Sequence, residues 1–483
     1  MRVPAAFSLA TFCCTLYGCA ATDSCLELVK QGKNDAAIAV CSERISAASP
    51  LAADFNHRGI AYSHNRQFDL AIADYSKALQ LDPKFIPAYS NRGLAYAWQR
   101  HFNLASRDFD TALELYPAFP DVYLNSGFSL FLQREFDKAL SEYNRAIELA
   151  PKFSKAYVGK GRVLAAQKKF DQAVVEYSKA IELDPGTSDA YTFRGDAHAQ
   201  LKRPELALQD YNSALGIDPR NRFALNSRGN LSSQKGEWEK SIADYSAAIA
   251  SDAKYTVAYR NRGLAYHRMR DVDRAIADFT KTIALAEKDG IAYSARGNTY
   301  FLKGEYGLAV QDYSRSLELR PQNAAAVFNR GLALQAKMDF EHALPDFKKA
   351  VELKPENEYF HLTLLIATRL AGKDPAEATA KLRQHLSAHE KTKWIRIVSH
   401  YYLGDTDIQR EDVLKEARNA ENARKVAERL CEAYYYLGVK RLLEGDRKEA
   451  EQYLESCLGT DVFTFTEYRA ARALLLQMKT GGI

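Results

Sequence analysis

Beyond its first 21 residues the chain has no stretch approaching the ~18 consecutive apolar residues that a membrane-crossing helix requires, so no transmembrane span is expected in the mature part. Charge of one sign is also scarce. The formal net charge is +5 over 483 residues with no long basic run, which leaves no electrostatic footprint for nucleic acid. Catalytic motifs are missing as well: there is no G-x-S-x-G, no phosphate-binding glycine loop, no H-E-x-x-H and no C-x-x-C. Those arrangements expose a nucleophile, cradle phosphates, hold zinc or cycle a disulfide. His385 and His389 stand four apart beside Glu390, a spacing that could seat a metal on one helix face, but no third ligand accompanies them. No enzyme, metal or cofactor is expected. What the chain does have, 47% hydrophobic and 26% charged residues with alanine, leucine and tyrosine prominent, is the composition of a folded helical protein.

The opening segment, MRVPAAFSLATFCCTLYGCAA, carries one Arg, a short apolar stretch and small residues at its end, the pattern of a secretory signal. Within it Leu16-Tyr17-Gly18-Cys19 resembles the bacterial lipobox, in which the cysteine is lipidated and becomes the new N-terminus. Tyr17 is bulkier than the usual residue there, and ordinary cleavage near Ala20 is the alternative. Ala20 directly after the cysteine resembles the sorting pattern of outer-membrane lipoproteins. Of seven cysteines, Cys13 and Cys14 leave with the signal and Cys19 takes the lipid. Cys25, Cys41, Cys431 and Cys457 remain, four thiols that suggest two disulfides in an oxidising compartment.

Glycine recurs at Gly59, Gly93, Gly127, Gly161, Gly195, Gly229, Gly263, Gly297 and Gly331, always 34 residues apart. Twelve residues after each comes alanine, or serine at Ser241, and sixteen after each comes an aromatic, from Tyr75 and Phe109 to Phe347. Twenty-four after it come Pro83, Pro117, Pro151, Pro185, Pro219, Pro321 and Pro355, replaced only by Ala253 and Glu287 in two units. This pattern resembles the tetratricopeptide repeat (TPR) family over about residues 52 to 357. The resemblance implies an all-α TPR solenoid, a right-handed superhelix of antiparallel helix pairs with nine regular repeats and divergent ends. Glycine and alanine would let paired helices approach, the aromatic would fill the space between neighbouring pairs, and proline would end the second helix because it has no N–H to continue it.

A second pattern runs beside the first. The residue before the glycine is Arg58, Arg92, Arg194, Arg228, Arg262, Arg296 or Arg330, with Ser126 and Lys160 in two units. Fifteen after the glycine sits an acid in all nine, including Asp74, Asp108, Asp210, Asp244, Asp278, Asp312 and Asp346. A partly buried guanidinium is costly without a carboxylate, so these read as a structural ladder of ion pairs between helices, with a binding role as the alternative.

Extended backwards, the register puts Cys25 at the glycine position and Cys41 at the aromatic position of an incomplete first repeat, which would pair them. Beyond Pro355 a divergent helical pair, a connecting segment from Trp394 and a TPR-like unit around Gly438 follow, with Ala450 in phase and Leu454 in place of the aromatic. Cys431 and Cys457 would meet within that unit. The stretches 394–404, 432–446 and 465–471 resemble the C-terminal region of NlpI-type lipoproteins. That resemblance implies an outer-membrane anchor facing the periplasm in a Gram-negative envelope, and adaptor partners such as a tail-specific protease or cell-wall hydrolases. A soluble periplasmic or secreted adaptor is the alternative. The expected organisation is a signal peptide of lipoprotein type over 1–20 (or of signal peptidase I type), a capping repeat over 22–51, nine repeats over 52–357, the divergent pair over 358–391 and the NlpI-like repeat with a capping helix over 392–483.

In TPR proteins the first helix of each pair lines the concave face. Asn91, Asn125, Asn261 and Asn329 recur two residues before the glycine and resemble the asparagine ladder with which the TPR array of O-GlcNAc transferase grips a peptide backbone, though Gly159, Phe193, Ser227 and Ala295 interrupt it. Leu94, Trp98, Leu124, Phe128 and Phe131, then Phe301, Phe328 and Leu332, cluster on the same face and would bind protein or extended peptide, or else pack on one another. The lysine and asparagine set of carboxylate-clamping TPRs does not occur at these positions.

Overall fold

Each 34-residue period forms two helices of nearly equal length, and the reason is visible in the first repeat. In the computed structural model, which describes residues 24–46, 49–388, 393–405, 407–463 and 465–481, helix A of that repeat is Ala52–His64 and helix B is Phe68–Leu81. The signal segment with Cys19, together with His389 and Glu390, lies outside the described residues. Among those described there are 27 helices and no strand, an all-α TPR solenoid of antiparallel pairs.

Close approach within a pair is set by the glycine. A methyl group on Gly59 would come 2.6 Å from Cε1 of Tyr75 on helix B of the same repeat, so any side chain there would drive the two helices apart. The aromatic also faces the following repeat: the Tyr143 ring lies against Gly127 of its own pair and against Gly159 of the next. One ring thereby serves both interfaces. The same relation returns late in the chain, where Gly438 packs on Leu454.

Proline turns out not to be what stops helix B. Helices Trp238–Ser251 and Val272–Leu285 end in the same register as the others, although Ala253 and Glu287 replace the proline. At the first of them the Asp252 carboxylate accepts from the Lys254 N–H at 2.9 Å, a local turn that competes with helix continuation without any proline.

The arginine and the acid meet as the pattern suggested, with one partner more. Nε and Nη2 of Arg58, Arg92, Arg194, Arg262, Arg296 and Arg330 donate to both oxygens of Asp74, Asp108, Asp210, Asp278, Asp312 and Asp346 at 2.7–3.0 Å. Lys160 pairs with Glu176 at 2.9 Å. Nη1 then reaches back to a hydroxyl on helix B of the preceding pair, such as Ser42 from Arg58, Ser76 from Arg92 or Thr280 from Arg296. Arg228 makes the corresponding bond to Asn212 at 2.8 Å, and Asp244 is buried. Each of the six arginines therefore joins three helices, and the planar five-donor guanidinium is the group that can do so.

By compactness the chain divides between Leu231 and Ser232, inside helix Arg222–Gln234. The N-terminal unit is built from small cores, one per repeat contact, centred for example on Tyr75, Tyr143 and Tyr177. In the C-terminal unit a small core around Tyr266 and Phe279 is followed by one large core running from Phe301 to Met478. That large core continues past residue 357, where the regular pattern stops, and Phe328 of the last regular pair stacks on Phe360 of the divergent pair at 4.4 Å. The expected connecting segment is itself helical, as Lys393–Leu403 and Arg410–Arg418.

Candidate functional site

The residues expected to line a concave binding face are placed together on the A helices, yet eight of the twelve are buried and the other four half-buried. The Asn91 amide donates to Asn56 Oδ1 at 3.0 Å, Asn125 to Ser90 Oγ at 2.9 Å and Asn329 to Asn298 Oδ1 at 3.0 Å. These asparagines tie one A helix to the preceding one. The clamp on a peptide backbone is thus not available at Asn91, Asn125 and Asn329, because the position two residues before the glycine points at the neighbouring repeat. Asn261 is half-buried.

In the N-terminal unit Leu94, Leu124 and Phe128 are core residues. Trp98 and Phe131 stay half-exposed at the ends of their A helices, Trp98 between Phe68 at 6.2 Å and Phe128 at 5.1 Å, and Phe131 beside Phe136 at 6.1 Å. Phe68, Trp98, Phe131 and Phe136 form an aromatic edge where the helix pairs turn. Arg162 closes it on one side. Its guanidinium lies 5.0 Å from the Phe131 ring centre, 5.4 Å from Phe193 and 5.6 Å from Phe128, and burial lowers its pKa despite nearby tyrosines and Asp189. Stacking on aromatic faces suits arginine in such a setting.

In the C-terminal unit the expected face is already covered. Arg469, on the helix Thr466–Thr480, sits 5.3 Å from the Phe301 ring. Arg472 donates to the Leu302 carbonyl at 2.7 Å and Gln477 to the Ala336 carbonyl at 2.9 Å. Leu332 lines a shallow cleft against Ala470 and Ala473. Phe328 is stacked under Phe360. The sequence held no periodic signal for this contact, which joins residues more than a hundred positions apart.

Beside the aspartates of the ladder, the same unit buries Glu358, Glu432 and Glu467 among its divergent helices. Glu432 accepts from the Tyr359 hydroxyl and the Trp394 indole, Glu358 from Ser399, and Glu467 from the Tyr436 hydroxyl. Burial, with Glu467 and Glu428 close by, pushes Glu432 up to about 8 against the opposing pull of its two donors. Glu467 is raised for the same reason of burial. These groups hold helices together through protonated or hydrogen-bonded carboxyls.

Cys25 and Cys41, fully buried, face each other with Cα atoms 5.6 Å apart and their sulfurs in bonding contact. Cys431 and Cys457 are brought together at 3.3 Å between sulfurs and stand as thiols without a bond. Cys431 lies in the middle of helix Ala423–Leu443. His385 is buried against the ring of His361 at 4.7 Å. Among the described residues no group of three or more potential ligands is placed to hold a metal.

The family described as tetratricopeptide repeat matches residues 52–85, 91–152, 156–222 and 324–357, and that described as TPR repeat matches 229–269 and 297–337, together more than half of the chain. Over 105 residues the chain is 30% identical to a protein of Haemophilus influenzae described as a Lipoprotein NlpI homolog, a stretch of 22% of this chain. It spans only 33% of that relative's length. Among solved structures, Pseudomonas aeruginosa pilF is 23% identical with a TM-score of 0.41, covering 44% of this chain and 96% of that one. The APC/C hetero-tetramer Cut9-Hcn1 is 17% identical with a TM-score of 0.44, covering 79% and 82%. With an unbroken 34-residue register, a glycine against an aromatic in eight of its pairs and family matches across more than half its length, the chain belongs to the tetratricopeptide repeat family.

Proposed function

We propose that the chain is a non-enzymatic protein-binding scaffold of a Gram-negative cell envelope, held on the periplasmic face of the outer membrane by a lipid on Cys19. Its partners are proteins or extended peptides, with a periplasmic protease or cell-wall hydrolases as the adaptor class suggested by the NlpI likeness. A soluble periplasmic or secreted adaptor is the second reading. The Cys25 and Cys41 pair, with sulfurs in contact inside the N-terminal cap, favours an oxidising compartment under either.

The observation that carries the binding role is the aromatic edge of Phe68, Trp98, Phe131 and Phe136. Trp98 and Phe131 keep part of their side chains accessible while Leu94, Leu124 and Phe128 on the same helices are buried, and accessible aromatic rings at the edge of a rigid array are the natural anchors for a partner. The test is purification of the tagged chain from envelope membranes with identification of co-purifying proteins. Trp98→Ala with Phe131→Ala should lose them, whereas Leu104→Ala, at an exposed position on another face, should keep them. Equal capture by both variants would remove the edge from consideration. Processing that is insensitive to globomycin would favour the soluble form over the lipidated one.

A further inference from the structure

The helix Thr466–Thr480 relates to the repeats as a ligand does. Leu302 and Ala336, whose carbonyls accept from Arg472 and Gln477, occupy equivalent places 34 residues apart, each at the C-terminal end of an A helix. Those ends carry partial negative charge and unpaired carbonyls, which favour a guanidinium or amide donor. Residues 472 and 477 are separated by a helical rise of about 7.5 Å, close to the ~8–10 Å between packed helices. A third repeat takes part: Arg270, in the turn after helix Thr256–Arg268, pairs with Asp461 at 2.7 Å and lies 3.9 Å from the Phe463 ring. One segment thus touches three successive repeats, two of them through carbonyls at equivalent positions and the third through a turn residue two places further on. Ala470 and Ala473, with Leu474 and Gln477 beside them, face Leu332, Gln335 and Ala336 across a shallow cleft.

We propose that the face formed by the A helices Thr256–Arg268, Gly290–Lys303 and Ala324–Ala336 is a helix-binding surface, filled at rest by the chain's own C-terminal helix. The partner it fits is an amphipathic helix with donors five residues apart for the two carbonyls, an arginine to stack on Phe301 and an acidic group before it for Arg270. This rests on the scaffold reading for the existence of a partner, but the surface itself is tested within the chain. Capture that survives the substitution of Trp98 and Phe131 would leave it standing, and its own failure would leave that reading standing.

The probe is a fluorescent peptide of residues 461–481 added to the full chain and followed by anisotropy. Arg472→Ala with Gln477→Ala removes two donors of the resident helix and should let the peptide bind about tenfold or more tightly than it binds the parent chain. Adding Arg270→Glu to that variant should weaken the peptide by about tenfold, since its acidic and aromatic contacts are lost. Equal binding to parent and variant, or no binding to a variant of native helix content, would overturn the proposal. Should the double variant lose helix content, Gln477→Ala alone is read by amide hydrogen exchange. Faster exchange in 466–480 with 423–443 unchanged supports a docked ligand, and a joint rise shows that the helix is simply core.

Discussion

Arg296 illustrates how much one side chain does in a repeat. It donates to both oxygens of Asp312, reaches Thr280 on the preceding pair and lies beside the rings of Tyr293 and Tyr300. Arg296→Met should keep the packing but leave Asp312, whose side chain is 8% exposed, without its counter-charge, lowering stability by about 1–3 kcal/mol in urea unfolding. A glycine matters for the opposite reason, having nothing to spare. Gly161→Ala would put a methyl 2.6 Å from the Tyr177 ring and should cost roughly 1–3 kcal/mol, while Gly216→Ala, with open space around it, should be neutral or stabilising. Glu432 makes stability depend on pH. Its folded pKa, about 8, lies above the ordinary 4.5, so the native state holds a proton that the unfolded state releases. The contribution is complete below the ordinary value and declines as pH rises through the folded one. The C-terminal unit should therefore unfold at higher urea near about pH 5 than near about pH 8, and Glu432→Gln should flatten that dependence. The arginine and its acid were legible because they repeat. Glu432 was not, since nothing in a single sequence marks a carboxyl that the fold will bury.

Among elements, the turn between helix A and helix B is the one the periodic pattern left unread. Seven residues after the glycine the backbone is left-handed, with φ of 60° at Arg66, 63° at Arg100 and 62° at Lys168, and glycine takes the place at Gly236, Gly304 and Gly445. A side chain in that conformation is strained, so Arg66→Gly and Arg100→Gly should each stabilise by roughly 0.5–1 kcal/mol, seen as a higher denaturant midpoint. The basic residues standing there gave no hint of it, because lysine and arginine are equally at home on any exposed surface. The end of helix B was misread in the other direction. Proline marked the place but Asp252 shows that turn chemistry ends the helix without it.

At the level of the whole molecule, the cysteines give a direct experiment. Mild oxidation should join Cys431 to Cys457, whose sulfurs are 3.3 Å apart, and intact-mass measurement after thiol labelling should then find neither of them free. Persistent labelling of both would argue against a periplasmic setting for this unit. By itself the sequence determined the repeat, the pairing of helices, the arginine–acid ladder and the facing of Cys25 and Cys41, since each follows from contacts at fixed separations along the chain. The tertiary structure decided which apolar residues remain to bind anything. Phe128 and Phe301 stand in similar sequence settings near their repeat glycines, yet one is closed by neighbouring repeats and the other by Arg469. Burial depends on what arrives from far along the chain, and no periodicity records that.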